Sequence, residues 1–66
     1  MTDNQVVGFI GYGRMGSAIG NALFKLDRYH VIAFDPSTEI QDQNPGIEFM
    51  SMEAVFSQAS IVFLGI

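Results

Sequence analysis

The chain contains no cysteine. Disulfides therefore cannot compensate for a small core, and zinc sites built on thiolates are excluded. Positive charge is scarce: three Lys and Arg stand against seven Asp and Glu, a net charge of −4 with a sequence pI near 4.4. That balance argues against a nucleic-acid partner, because phosphate recognition demands lysine and arginine. No apolar run approaches the ~18 residues of a membrane span. Met1-Thr2-Asp3-Asn4 carries neither a basic n-region nor a long apolar h-region, so no secretory signal is visible and cytoplasm is the expected location. The only histidine, His30, stands at the start of a strand-like run and reads as a surface residue. There is no nucleophile–base pair, no metal-ligand cluster and no carboxylate pair with an evident shared pocket. Asp42, Glu48 and Glu53 read as solvated surface. No catalytic and no metal-binding residue is expected.

What the chain does have is apolar surface. Of its 66 residues 48% are hydrophobic, and mean hydropathy is +0.28. A domain this small buries only roughly 60% of its unfolded surface. The excess predicts a piece of something larger, or an obligate oligomer.

Gly11-Tyr12-Gly13-Arg14-Met15-Gly16 organises the rest. Before it, Gln5 to Ile10 is β-branched and aromatic, a buried strand by composition. After it, Met15, Ala18, Ile19, Ala22, Leu23 and Leu26 recur at steps of three and four, predicting a helix from about Arg14 to Leu26 with those residues buried. Arg14, Ser17, Asn21, Lys25 and Arg28 fall on the opposite face. In a strand–turn–helix setting the three glycines have distinct jobs. Gly11 permits a tight exit from the strand, and Gly13 removes a side chain that would block a pyrophosphate. Gly16, extended by Gly20, allows close helix–strand packing. The helix N-terminus then offers free N–H groups to phosphates.

A second strand, His30 to Phe34, ends in Asp35, nineteen residues after Gly16. At that place a carboxylate can accept hydrogen bonds from ribose hydroxyls. The alternative is a polar residue that closes the strand, with Pro36 as turn former. From Pro36 to Gly46 only Ile40 is apolar, which predicts a short helical turn and then loop. Ile47 to Met50 alternates as a short third strand. Ser51 is a plausible N-cap for a third helix that buries Met52, Val55, Phe56 and Ala59. Ile61 to Ile66 is apolar on both faces, as a central parallel strand would be.

This order predicts an α/β Rossmann-like doubly wound parallel sheet, truncated to about four strands in the spatial order 3-2-1-4, with residues 1–66 forming the N-terminal part of a dinucleotide-binding domain. Strand four is expected to present a bare apolar edge, in need of a cover from a second copy or a further domain. The candidate cofactor site comprises Gly11, Tyr12, Gly13, Arg14, Met15, Gly16, Asp35, Pro36, Ser37 and Gly65. NAD is favoured over NADP, since no lysine or arginine follows Arg28 and Asp35 would repel a 2′-phosphate. Ser37, Thr38 and Arg14 keep NADP as the alternative.

Val7 to Ile19 resembles the opening of pyrroline-5-carboxylate reductases, which typically run Gly-Phe-Ile-Gly-x-Gly-Asn-Met-Gly-x-Ala. Met15-Gly16-Ser17-Ala18-Ile19 favours that family over its neighbours, the 3-hydroxyisobutyrate-type dehydrogenases, the 6-phosphogluconate dehydrogenases and the NADP-dependent coenzyme F420 oxidoreductases. Arg14 departs from the pattern by standing where the reductase has asparagine. The resemblance implies a parent enzyme of proline synthesis that reduces 1-pyrroline-5-carboxylate with NAD(P)H. It also implies a helical C-terminal domain, absent from this sequence, for dimerisation and most of the substrate pocket. On that reading this chain holds the cofactor and does not turn over alone. A reading of another class is a stand-alone nucleotide-binding or interaction module without catalysis.

Overall fold

The structure is a computed structural model, and it describes residues 5–65. Seven elements follow in order: β1 (Gln5–Ile10), α1 (Arg14–Phe24), β2 (Tyr29–Phe34), α2 (Thr38–Gln43), β3 (Glu48–Phe49), α3 (Met52–Gln58) and β4 (Ile61–Leu64). The strands form one sheet in the order β3-β2-β1-β4 with every pairing parallel. This is the Rossmann-like α/β arrangement that the sequence predicts. Ile66, the last residue of the expected fourth strand, lies outside the described residues.

Period-two alternation in β1 supplies both sides of the sheet. Val7 and Phe9 join Tyr12, Val31, Ala33 and Ile47 in one core, against which Leu23 of α1 and Ile40 of α2 pack. Ile10, Ile32 and Val55 form the other core, backed by Val6, Phe34, Ala59 and Val62. Gly8 lies on this second side. A Cβ there would come within 2.6 Å of Val55 Cγ1, so the glycine is what brings α3 down onto β1.

Two expectations about the helices need correction. The predicted buried stripe of α1 is largely wet: Met15, Ile19 and Leu26 are 74, 39 and 55% exposed, Ala18 and Ala22 are also exposed, and only Leu23 packs on the core. The line of contact with the sheet runs instead through Gly16 and Gly20, the helix's only buried residues. Met15 precedes Gly16 by one residue, or about 100° around the axis at 3.6 residues per turn. The periodicity is genuine, but the stripe is turned away from this sheet. In α3, likewise, Val55 is fully buried while Met52 and Phe56 remain exposed.

The helix also ends earlier than expected. Asp27 takes a left-handed conformation (φ 62°) and turns the chain back where a glycine would be usual, which leaves Arg28 beyond the helix rather than on it. At the sheet's end, β4 is an edge whose Ile61, Phe63 and Leu64 are 40% exposed or more. His30 is on the surface as predicted, and it meets Glu48 across the β2–β3 pair at 2.9 Å.

Candidate functional site

The glycine turn is locked from three sides. Gly11 adopts φ +91°, a conformation that L side chains rarely hold. Its N–H donates to the Phe34 carbonyl at 2.7 Å and so carries the β1–β2 ladder into the turn. Beyond β4, the Gly65 N–H donates to the Ile10 carbonyl at 2.8 Å. Cβ atoms on Gly16 or Gly65 would each lie 2.8 Å from the Gly11 carbonyl oxygen. The helix start and the end of β4 can approach the turn only as bare backbone.

Gly13 differs from these. A Cβ there would meet nothing within 4 Å, and the residue borders an open cleft of about 380 Å³ with Tyr12, Arg14, Ser17, Ile40, Gln43 and Asn44. Gly13 is also the N-cap of α1, and it brings no side chain to the first-turn N–H groups. The other two helices are capped internally: the Ser37 hydroxyl accepts from the Ile40 N–H and the Ser51 hydroxyl from the Ala54 N–H. No acidic residue occupies the first turn of α1, and the Arg14 guanidinium has no carboxylate partner among the described residues. Met15, the other sequence candidate in this turn, points mainly to solvent.

Asp35 stands beside the turn, as the βαβ spacing requires. Its Oδ2 accepts from the Tyr12 N–H at 2.8 Å and its Oδ1 from the Ser37 N–H at 2.9 Å. A carboxylate has about four acceptor positions, so each oxygen keeps capacity for another donor. Pro36 is exposed between Asp35 and Ser37. Gln41, which sequence reasoning overlooked, donates from Nε2 to the Asp35 carbonyl at 2.9 Å.

Tyr12 has a more inward role than its place in the turn suggests. Its side chain is fully buried, edge-on to Phe9 and Phe49, and its hydroxyl donates to Asn21 Oδ1 at 3.0 Å. Asn21 continues to Asn44 Oδ1 at 3.2 Å, and Asn44 to the Ile40 carbonyl at 2.8 Å. This relay ties α1 to α2, and periodicity gave no sign of it, since Asn21 belongs to the face read as wet. Burial pushes the Tyr12 phenol up to about 12 from 10.0. The folded protein thus favours the neutral form. Stability from this group is complete below pH 10 and is lost as pH rises from 10 towards 12. By pH 11 the loss is on the order of 1 kcal/mol. Urea midpoints at pH 8 and pH 11 measure it, and Tyr12→Phe is expected to remove this part of the slope.

A parallel sheet in the order 3-2-1-4, with an uncapped helix N-terminus and an acidic residue at the end of β2, defines a dinucleotide-binding domain. The residues fit a dinucleotide: open space at Gly13 for a backbone approach, unoccupied helix N–H groups, and a carboxylate with acceptor capacity.

The comparisons narrow the class. The family model of the D-isomer specific 2-hydroxyacid dehydrogenase, NAD binding domain, matches residues 1–66. The chain belongs to that family. Among solved structures it is similar to the D-isomer specific 2-hydroxyacid dehydrogenase from Lactobacillus delbrueckii ssp. bulgaricus in its NAD-complexed form, at 32% identity and a TM-score of 0.76. The match covers 96% of this chain and 19% of that one, so the chain spans about a fifth of its neighbour's length. No curated protein matches it.

These findings bear out NAD as the cofactor and overturn the resemblance to pyrroline-5-carboxylate reductase, along with the proline-synthesis role it implied. The residues behind that resemblance explain the error. Met15, Ala18 and Ile19 lie on the exposed stripe of α1, outside the core. The glycines and the strand pattern are common to dinucleotide folds in general. Arg14 departs from the reductase pattern within this motif. Among the described residues, no helix is long and apolar enough to cross a membrane.

Proposed function

We propose that this chain is the NAD-binding part of an oxidoreductase that interconverts a D-2-hydroxy acid and its 2-oxo acid. Gly11, Gly13, Arg14 and Gly16, with the first turn of α1, take the pyrophosphate. Asp35 accepts from the adenosine ribose hydroxyls, Pro36 and Ser37 shape the loop beside it, and Gly65, just past β4, lets the strand end pack against the Gly11 carbonyl of the turn. Tyr12 and Met15 contribute backbone. Bound NAD supplies the hydride-transfer chemistry, and the chain's own task is to bind and orient it. Residues that handle the substrate are assigned to the rest of the parent enzyme. The exposed edge of β4 is assigned to contact with a further domain or a second copy.

One observation carries this reading: Gly13 has room for a side chain in the folded protein, yet faces the cleft at an uncapped helix start. A glycine kept for packing has a close neighbour, as Gly16 has; Gly13 has none. Gly13→Val is therefore expected to leave stability within about 1 kcal/mol of the parent, the scale of an N-cap change. NADH binding, titrated by fluorescence in the intact protein, should weaken by roughly 10–100-fold, the equivalent of a 1–3 kcal/mol steric cost. Unchanged NADH affinity would show the glycines to be structural only.

A further inference from the structure

We propose that Gln41 is a positioning residue that sets the preference of this site for NAD over NADP by holding Asp35 in one orientation. The inference rests on the NAD-binding reading above. Asp35 precedes a proline, so its own backbone is already biased to the extended region. What remains to be fixed is the orientation of the Asp35–Pro36 peptide, which determines where Ser37 is placed. The Gln41 amide donates to the Asp35 carbonyl at 2.9 Å and fixes that peptide. The Ser37 N–H is then presented to Asp35 Oδ1 at 2.9 Å, while the Tyr12 N–H holds Oδ2 at 2.8 Å. With a donor on each oxygen, the carboxylate cannot turn about its terminal torsion without breaking a bond.

That rigidity bears on selectivity more than on affinity. A free aspartate can swing aside and admit a 2′-phosphate, whereas one pinned at both oxygens keeps its charge where the phosphate would lie. Gln41 is well placed for this duty. It lies one turn into α2, half-buried, and its N–H closes that turn on the Ser37 carbonyl at 3.2 Å. The Ser37 hydroxyl meanwhile caps the same helix through Ile40. Loop and helix form a single hydrogen-bonded unit, and the Gln41 side chain is the member that reaches back to Asp35.

The test is a pair of titrations, NADH and NADPH, on the intact protein and on Gln41→Leu. Loss of one intramolecular hydrogen bond is expected to weaken NADH by about three- to tenfold. NADPH should hold or rise, because a freed carboxylate can swing away from the 2′-phosphate, so the ratio of affinities falls by at least that factor. Gln41→Asn retains an amide but draws it back by one methylene; it should give the same fall, and it guards against misfolding of the leucine variant. A merely structural role would weaken both cofactors equally, and an unchanged ratio overturns the proposal while leaving the NAD reading intact. If the parent protein binds no NADH, both fall together.

Discussion

Gly20→Ala is expected to destabilise the protein by about 2–3 kcal/mol, the cost of overpacking a filled core. In an ordinary helix interior the same change gains roughly 1 kcal/mol of propensity, so the sign is diagnostic. The cause is Tyr12. A Cβ on Gly20 would lie 2.5 Å from its Cε1 and 2.7 Å from its Cζ, and it would also run into the hydroxyl oxygen. Its neighbours restrain the ring. Phe9 stands edge-on to it with centroids 5.3 Å apart, Phe49 does the same at 5.7 Å, and Asn21 holds the hydroxyl. Tyr12→Phe gives no relief, because ring carbons clash as well as the oxygen. Tyr12→Ala should give it, so Gly20→Ala should cost much less in that background than alone, a coupling between contacting residues. Urea unfolding followed by circular dichroism measures all three variants. A Gly20→Ala protein as stable as the parent would mean that the ring is not held as described.

Gly20 also shows how far the sequence could be read. Its spacing after Gly16 indicated a close approach between helix and sheet, and the approach exists. What fills the gap was not legible, because a tyrosine inside a glycine turn reads as part of the turn. Its side chain turns inward to Phe9, a partner set by tertiary packing rather than by local pattern. The first two strands were legible to within a residue, since β-branched and aromatic runs bounded by turn formers leave few alternatives, whereas the third shrinks from Ile47–Met50 to Glu48–Phe49 and the fourth ends at Leu64. The helix faces were not. Hydrophobic spacing marks a stripe but does not say which neighbour covers it, and on α1 glycines rather than large residues meet the sheet.

The site divides in the same way. Gly11, Gly13, Gly16 and Asp35 were visible because each is demanded by backbone geometry or by spacing along the βαβ unit. Gln41, Asn21 and Asn44 were not, because a polar side chain bonded to a distant carbonyl or amide has no sequence period. Family membership was the hardest to reach from residues alone. The turn that identifies a dinucleotide fold is shared across its families, and of the residues used to choose among them Met15, Ala18 and Ile19 are exposed on α1.

The residue whose loss is expected to affect the cofactor most is Asp35. On the proposed reading, its removal takes away a charged acceptor for two ribose hydroxyls, and charge-assisted bonds contribute about 1.5–3 kcal/mol each. Since Asp35→Ala also strands the Tyr12 and Ser37 N–H groups, part of the effect will appear as lost stability. Asp35→Ser is the cleaner variant, because its hydroxyl can still accept from a nearby N–H. NADH affinity is expected to fall about 100-fold, corresponding to ~2.7 kcal/mol. NADPH affinity should hold or rise, because the repulsion between Asp35 and a 2′-phosphate goes with the carboxylate. The contrast with Gly13→Val makes the assignment specific. Pyrophosphate is common to both cofactors, so blocking Gly13 should weaken NADH and NADPH alike, while changing Asp35 should separate them. A parent protein that binds NADPH much more tightly than NADH, with Asp35→Ser making little difference, would remove Asp35 from the ribose and leave it as the residue that ties β2 to the glycine turn.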